Sequence, residues 1–285
     1  MRQLSQKFTF LFPAVFWLMF FFVIPLTIIF VYSFFERGIY GGIEYVFSFN
    51  NYYRVIDPLY LKAVLRTVYI ASLNTLICLI IGYPLAYFIS NQSQRKKNIL
   101  LFLVTLPFWT NFLVRIYAWM IILRTEGFLN NVLLWMNLIN KPFEILFTDK
   151  AVLIGMVYGY LPFMILPLYA SIEKLDRNYL DAARDLGATP IKTFWRVIIP
   201  LTKPGIIAGS ILVFVPSLGA FIIPDLLGGA KSMMIGNLIK DQFLSARDWP
   251  FGSALSFIVM AVVLILLMIY LRFGQTVSEK LYSNK

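Results

Sequence analysis

The stretch DRNYLDAARDLGATPIKTFWRVIIPLTKP, residues 176–204, is the only long polar interval in a 285-residue chain that is otherwise mostly apolar. It reads as two short helices joined by a tight corner. Asp176 has the side chain to cap the first helix, and Gly187 stands where a helix ends on a left-handed residue. Thr189 is placed to cap the second helix, and Pro190 suits its first turn. Tyr179, Ala182, Ala183 and Leu186 fall on one stripe, with Arg177, Asp181, Arg184 and Asp185 covering the rest, the pattern of an amphipathic surface helix. Pro200 and Pro204 close the interval and lead back into apolar sequence.

Outward from this elbow, composition sets the class. Hydrophobic residues make up 60% of the chain, aromatic residues 17% and charged residues 14%, with a mean hydropathy of +0.77. Soluble domains carry about 25% charged residues. The expected fold is an all-α polytopic membrane protein, a single domain of six transmembrane helices, because lipid offers the backbone no partners and helices satisfy their own. The spans are expected at about residues 8–35, 64–89, 99–123, 151–168, 205–223 and 251–271, each able to cross roughly 30 Å of hydrocarbon. The first is too long for a signal-peptide core and reads as uncleaved. Residues 36–62 read as a loop of balanced charge, with Arg66 at the outer rim of the second span. The third span is broken near Pro107 and interrupted by Arg115, with Asn111 placed to satisfy backbone groups that the proline frees. Residues 128–139 read as a helix lying along the interface.

Basic residues give the orientation. Arg2, Lys7, Arg95, Lys96, Lys97, Lys174, Arg177, Arg184, Lys192, Arg196, Lys203, Arg272, Lys280 and Lys285 fall on one side, whose net charge is +9; the other side carries +2 of the total +11. Both termini and the loop 169–204 are therefore expected in the cytoplasm. The positive charge follows membrane sidedness, so no nucleic-acid partner is inferred.

Asp181-Ala182-Ala183, Gly187 after three residues, then Val197, Ile199 and Pro200 after a further fixed gap, resemble the cytoplasmic coupling loop of ABC-importer permeases. That pattern has Glu-Ala-Ala, three residues, Gly, nine residues, Ile, one residue and Leu-Pro; here Asp, Val and Ile stand in for Glu, Ile and Leu. The resemblance implies a type I ABC importer permease fold, with Asp181, Ala182, Ala183, Gly187, Ala188, Thr189 and Pro190 docking into a separate ATP-binding subunit. Longer runs narrow the family. PFWTNFLVRIYAW at 107–119, LPFMILPLYASIEKLD at 161–176, PDLLGGAKSMMIGNLI at 224–239 and RDWPFGSALS at 247–256 look like the first permease subunit of spermidine/putrescine importers. This implies a second homologous permease, two copies of an ATPase that binds ATP and Mg, a periplasmic or lipid-anchored polyamine-binding protein, and a prokaryotic inner membrane. No cofactor is expected on this chain itself.

A polyamine is a flexible polycation, held by carboxylates and by aromatic faces, each cation–π contact contributing about 0.5–2 kcal/mol. Candidates for its pathway are Trp109 and Tyr117 in the third span, Tyr158 and Tyr160 in the fourth, and Phe221 and Asp225 at the outer end of the fifth, with Asp248 beside Trp249 and Pro250. The aromatic residues equally suit packing or interfacial anchoring. Asp225 equally suits capping a turn before Gly228, and Asp248 an exposed turn. Arg115 would repel a polyamine and reads as structural or as a contact with the second permease.

Other chemistries find little support. The chain has no histidine and one cysteine, Cys78, so histidine catalysis and cysteine-based metal sites are excluded. Gly228-Gly229-Ala230-Lys231-Ser232 ends like a phosphate-binding loop but lacks glycine directly before the lysine, so energy must come from another subunit or an ion gradient. Importers of thiamine, phosphonate or ferric ion share the elbow. A gradient-driven transporter would place its ion at Asp225, with an inverted repeat that the sequence does not show.

Overall fold

The computed structural model describes residues 12–282 other than Ala14 and Arg177. The start of the expected first span and the cations Arg2, Lys7, Arg177 and Lys285 lie outside the described residues. The chain runs through α1 (Val15–Tyr32), β1 (Phe35–Arg37), β2 (Ile43–Phe47), α2 (Asn50–Val55), α3 (Pro58–Ser90), α4 (Gln94–Thr105), α5 (Phe112–Leu123) and α6 (Phe128–Trp135). It continues through α7 (Asp149–Glu173), α8 (Asn178–Asp185), α9 (Pro190–Leu201), α10 (Lys203–Leu218), α11 (Ile235–Leu244) and α12 (Trp249–Tyr282).

Helices α1, α3, α7 and the Trp249–Met268 part of α12 are long and apolar enough to cross a membrane singly. Two bent pairs raise the number to as many as six: Gln94–Trp109 with Phe112–Trp135, bent by 92°, and Pro190–Leu201 with Lys203–Leu218, bent by 67°. The third expected span is thus two helices. Pro107 stands in a 3₁₀ turn, Leu106–Trp109, and the extended backbone of Asn111 restarts the helix, its carboxamide oxygen accepting from the N–H groups of Leu113 (2.9 Å) and Val114 (3.5 Å). The fifth span ends early, at Leu218, and gives way to a π turn at Pro224–Gly228. Within 36–62 the sequence expectation missed a hairpin, whose register pairs Glu36 with Glu44 and Arg37 with Ile43.

Two compact units are distinguished. The first combines the described part of Met1–Lys62 with Leu238–Val262. Here Arg37 Nη2 donates to the Ala246 carbonyl at 2.7 Å and Gly42 N–H to the Arg247 carbonyl at 2.8 Å, which ties the hairpin to the loop before α12. Buried Asn51 donates to the carbonyls of Ser33 and Phe35, at 3.1 and 2.8 Å, where the chain turns from α1 into β1.

The second unit combines the described parts of Ala63–Asn237 and Val263–Lys285. One of its buried clusters joins α3, α5 and α7 to the segment after α10, around Ile70, Ile116, Met156, Ile223 and Leu227. The other joins α3, α7, α9 and α10 around Tyr83, Met164, Leu168, Ile198 and Val213. Helices α7 and α10 meet at small residues. A Cβ on Gly205 would stand 2.4 Å from Ser171 Cβ and 2.8 Å from the Pro167 carbonyl oxygen, and one on Gly209 would stand 2.8 Å from Met164 Sδ. Buried polar groups tie α3 in: Asn74 donates to Ser217 Oγ at 2.9 Å, Tyr83 and Thr202 share a hydroxyl hydrogen bond of 2.7 Å, and Cys78 is fully buried beside Asn74. Asp149, opening α7, accepts from Arg66 of α3 and from Ser232 Oγ at 2.6 Å.

Because Gly205 has no room for a side chain, Gly205→Val is expected to lower stability by about 1–3 kcal/mol. The detergent-solubilised protein should show it as a reduced Tm; an unchanged Tm would mean that α7 and α10 can part without loss.

Candidate functional site

The elbow folds as its caps dictate. Asp176 Oδ1 accepts the Asn178 N–H at 3.0 Å and starts α8. Gly187, at φ 73°, ends it: the Gly187 N–H returns to the Arg184 carbonyl at 2.8 Å and the Ala188 N–H to the Ala183 carbonyl at 2.9 Å, a Schellman closure that a left-handed residue completes. Thr189 Oγ1 accepts the Lys192 N–H at 3.4 Å, and Pro190 opens α9. A π turn at Phe194–Ile198 then carries the chain towards α10. Asp181 pairs with Arg184 at 3.2 Å with both side chains exposed, an interaction worth less than about 1 kcal/mol.

The apolar stripe expected on α8 divides. Ala183 is buried, with Leu180, Phe194 and Ile198 packed inward, whereas Tyr179, Ala182 and Leu186 face outward. Leu186 is 88% exposed, Ile191 73% and Trp195 65%, so the outer side of the corner carries large apolar side chains between charged ones. Helical periodicity could not find this face, because its members come from both sides of the Gly187 turn. Among the described residues nothing in this chain covers it.

The pathway candidates are dispersed. Trp109 is 81% exposed on its 3₁₀ turn and Tyr117 is half exposed on α5; neither has a ring partner among the described residues. Tyr158 packs edge-on against Trp119 at 5.5 Å, and the Arg115 guanidinium lies 5.9 Å from its ring and 5.6 Å from that of Phe112. Arg115 Nε is buried with no hydrogen bond among the described residues. Tyr160 donates its hydroxyl to the Pro216 carbonyl at 3.4 Å. Phe221 and Asp225 do come together: the Asp225 N–H reaches the Phe221 carbonyl at 3.0 Å, and Asn237 Nδ2 donates to that carbonyl at 2.9 Å and to Asp225 Oδ1 at 3.4 Å. A cavity of about 540 Å³ opens beside Arg124, Glu126, Glu144, Phe147 and Thr148, and no sequence candidate lines it.

Asp248, in the first unit, is not an exposed turn. Its side chain is 3% accessible, Oδ2 accepts from Arg54 Nη1 at 2.9 Å, Oδ1 accepts from the Phe251 N–H at 3.2 Å, and the Arg54 guanidinium lies 3.9 Å from the Phe251 ring. It caps α12 and is neutralised there. The sequence gives no sign of this, since Arg54 lies far away along the chain.

Long apolar helices, a close helix pair and a capped elbow with an uncovered apolar side suit a membrane subunit that docks a partner through the elbow. The chain belongs to the family of binding-protein-dependent transport system inner membrane components, whose profile matches residues 78–283. It is similar to the spermidine/putrescine transport system permease protein PotB of Escherichia coli K12, with 48% identity over 264 residues that cover 93% of this chain and 96% of that one. The Haemophilus influenzae protein of the same name is 44% identical over 282 residues, covering 98% and 99%. A bacterial ABC transporter that imports alginate superposes with a TM-score of 0.76 at 17% identity, over 96% of each chain. Its complex with an alginate pentasaccharide-bound periplasmic protein gives 0.78 at 16%, over 98% of this chain and 96% of that one. The expected type I ABC importer permease fold is the fold observed.

Replacing Asp248 with Ala removes a helix cap and the counter-ion of Arg54, and is expected to lower stability by about 1–3 kcal/mol. The reading is the Tm of the purified protein, with Asp248→Asn retaining more of it than Ala.

Proposed function

We propose that this chain is one of two permease subunits of an ATP-driven polyamine importer, carrying spermidine or putrescine across a prokaryotic inner membrane. The observation that carries the cargo is the 48% identity to a spermidine/putrescine permease over 93% of the chain. A second homologous permease, two ATP-binding subunits holding ATP and Mg, and a periplasmic or lipid-anchored polyamine-binding protein complete the assembly. Both termini and the elbow lie in the cytoplasm, in keeping with the charge imbalance between the two sides.

The exposed Leu186, Ile191 and Trp195 support the coupling role, because an apolar corner between charged residues suits burial in a groove of the ATPase. ATP-driven closure of the two ATPases moves the elbows together, α7 and α10 follow because the elbow hangs between them, and the bundle exchanges outward for inward access. Asp225 lies beside Phe221, with Asn237 hydrogen-bonded to both, and the two remain pathway candidates in this reading. So do Trp109, Tyr117, Tyr158 and Tyr160. Asp248, spent on Arg54, contributes through α12.

The test is uptake of radiolabelled spermidine into proteoliposomes that hold this chain, its neighbouring permease, the ATPase and the binding protein. Accumulation that requires ATP and is blocked by excess putrescine is expected. ATP hydrolysis stimulated by the binding protein without entry of spermidine would remove the polyamine, and uptake that needs an ion gradient in place of ATP would remove the importer class. In the same vesicles Gly187→Val is expected to cut uptake about tenfold while the chain still inserts, since a β-branched residue at positive φ reshapes the corner.

A further inference from the structure

The first turn of helix α4 carries three consecutive cations after Gln94, and only one of them turns inward. Arg95 and Lys96 are exposed and form no ion pair among the described residues, whereas Lys97 is 8% exposed. Its Nζ donates to both carboxylate oxygens of Glu173, at 2.6 and 2.8 Å. A charge buried to this degree is tolerated when it is paired and hydrogen-bonded.

Both charges stand at the wrong helix ends. Lys97 lies in the first turn of α4, where the helix dipole disfavours a cation, and Glu173 is the last residue of α7, where it disfavours an anion. Neither residue helps its own helix. Each is compensated by the other, so the pair is explained by what it joins.

What it joins is the exit of α7 and the entry of α4. Directly after Glu173 the Leu175 N–H returns to the Ile172 carbonyl at 3.1 Å, and Asp176 caps α8, so little slack separates the pair from the elbow. Beneath it, Leu100, Leu101 and Val104 of α4 pack into the cluster that holds Ile172, Leu180, Phe194 and Ile198. That packing is apolar and without direction, whereas a lysine held by both carboxylate oxygens adds a directional contact between the two helix ends.

Within the ATP-driven importer reading, we propose that Lys97 and Glu173 are positioning residues for coupling: their ion pair makes α4, and with it the bent third span, follow the elbow when the ATPase moves it. Without the pair the entry of α4 would follow α7 through apolar packing alone, and nucleotide hydrolysis would open the path less efficiently.

The experiment uses the complete complex in proteoliposomes and reads spermidine moved per ATP hydrolysed, alongside co-purification of the ATPase. Glu173→Gln and Lys97→Met are expected to keep assembly and hydrolysis but lower the ratio about tenfold, within the usual range of inter-site coupling. Lys97→Arg is expected to retain the ratio, and the charge exchange K97E/E173K to restore most of it. An unchanged ratio in the single variants would overturn the assignment. So would loss of assembly in place of loss of ratio, which would make the pair a brace. A wild-type complex without ATP-driven uptake would overturn the importer reading as well, whereas a working wild type beside variants of normal ratio would overturn the ion-pair role alone.

Discussion

The larger unit depends on how closely α7 and α10 approach. In lipid, apolar side chains gain little by moving from hydrocarbon to protein, so helices associate through close packing and hydrogen bonds. Gly205 and Gly209 let one backbone sit against Pro167, Ser171 and Met164 of the other. Helix α7 leads into the elbow and α10 leads out of it, so this contact sets the separation of the legs from which the elbow hangs. Tyr83–Thr202 and Asn74–Ser217 then fasten α3 to the same pair, one bond at the elbow end of α10 and one near its far end.

Much of this was legible in the sequence wherever the cause is local. Asp176, Gly187, Thr189 and Pro190 act within a few residues of themselves, and all four adopt the roles that their chemistry assigns. Helix existence followed from apolar length, but the limits did not. Helix α3 starts at Pro58, whose fixed φ suits a first turn, and α7 runs on to Glu173, because a helix does not stop where a continuous apolar run does. The hairpin at Phe35–Phe47 was missed because β1 and β2 are short and mostly not buried, leaving no alternating apolar pattern to read. The break after Thr105 was foreseen from Pro107, but its angle was not, since the turn Leu106–Trp109 and the Asn111 cap set it together.

The site was less legible than the fold. Residue type marks a candidate but does not say what lies opposite it. Asp248 reads as an exposed acid beside tryptophan and proline until Arg54 is brought against it. Lys97 reads as one of a run of solvated cations until Glu173, many residues later, meets it. The outward face of Leu186, Ile191 and Trp195 needs the corner to be built before its members become neighbours. Phe221 and Asp225, one turn apart, come together through the local backbone.

The chain has a single thiol, and it is sealed. Cys78 is fully buried on α3, its Sγ facing Asn74 Oδ1 at 3.7 Å and the Val157 carbonyl at 3.9 Å. A buried thiol of this kind behaves as a small apolar side chain, out of reach of water-borne oxidants and of disulfide partners. Redox change on either face of a membrane therefore finds no thiol of this chain within reach.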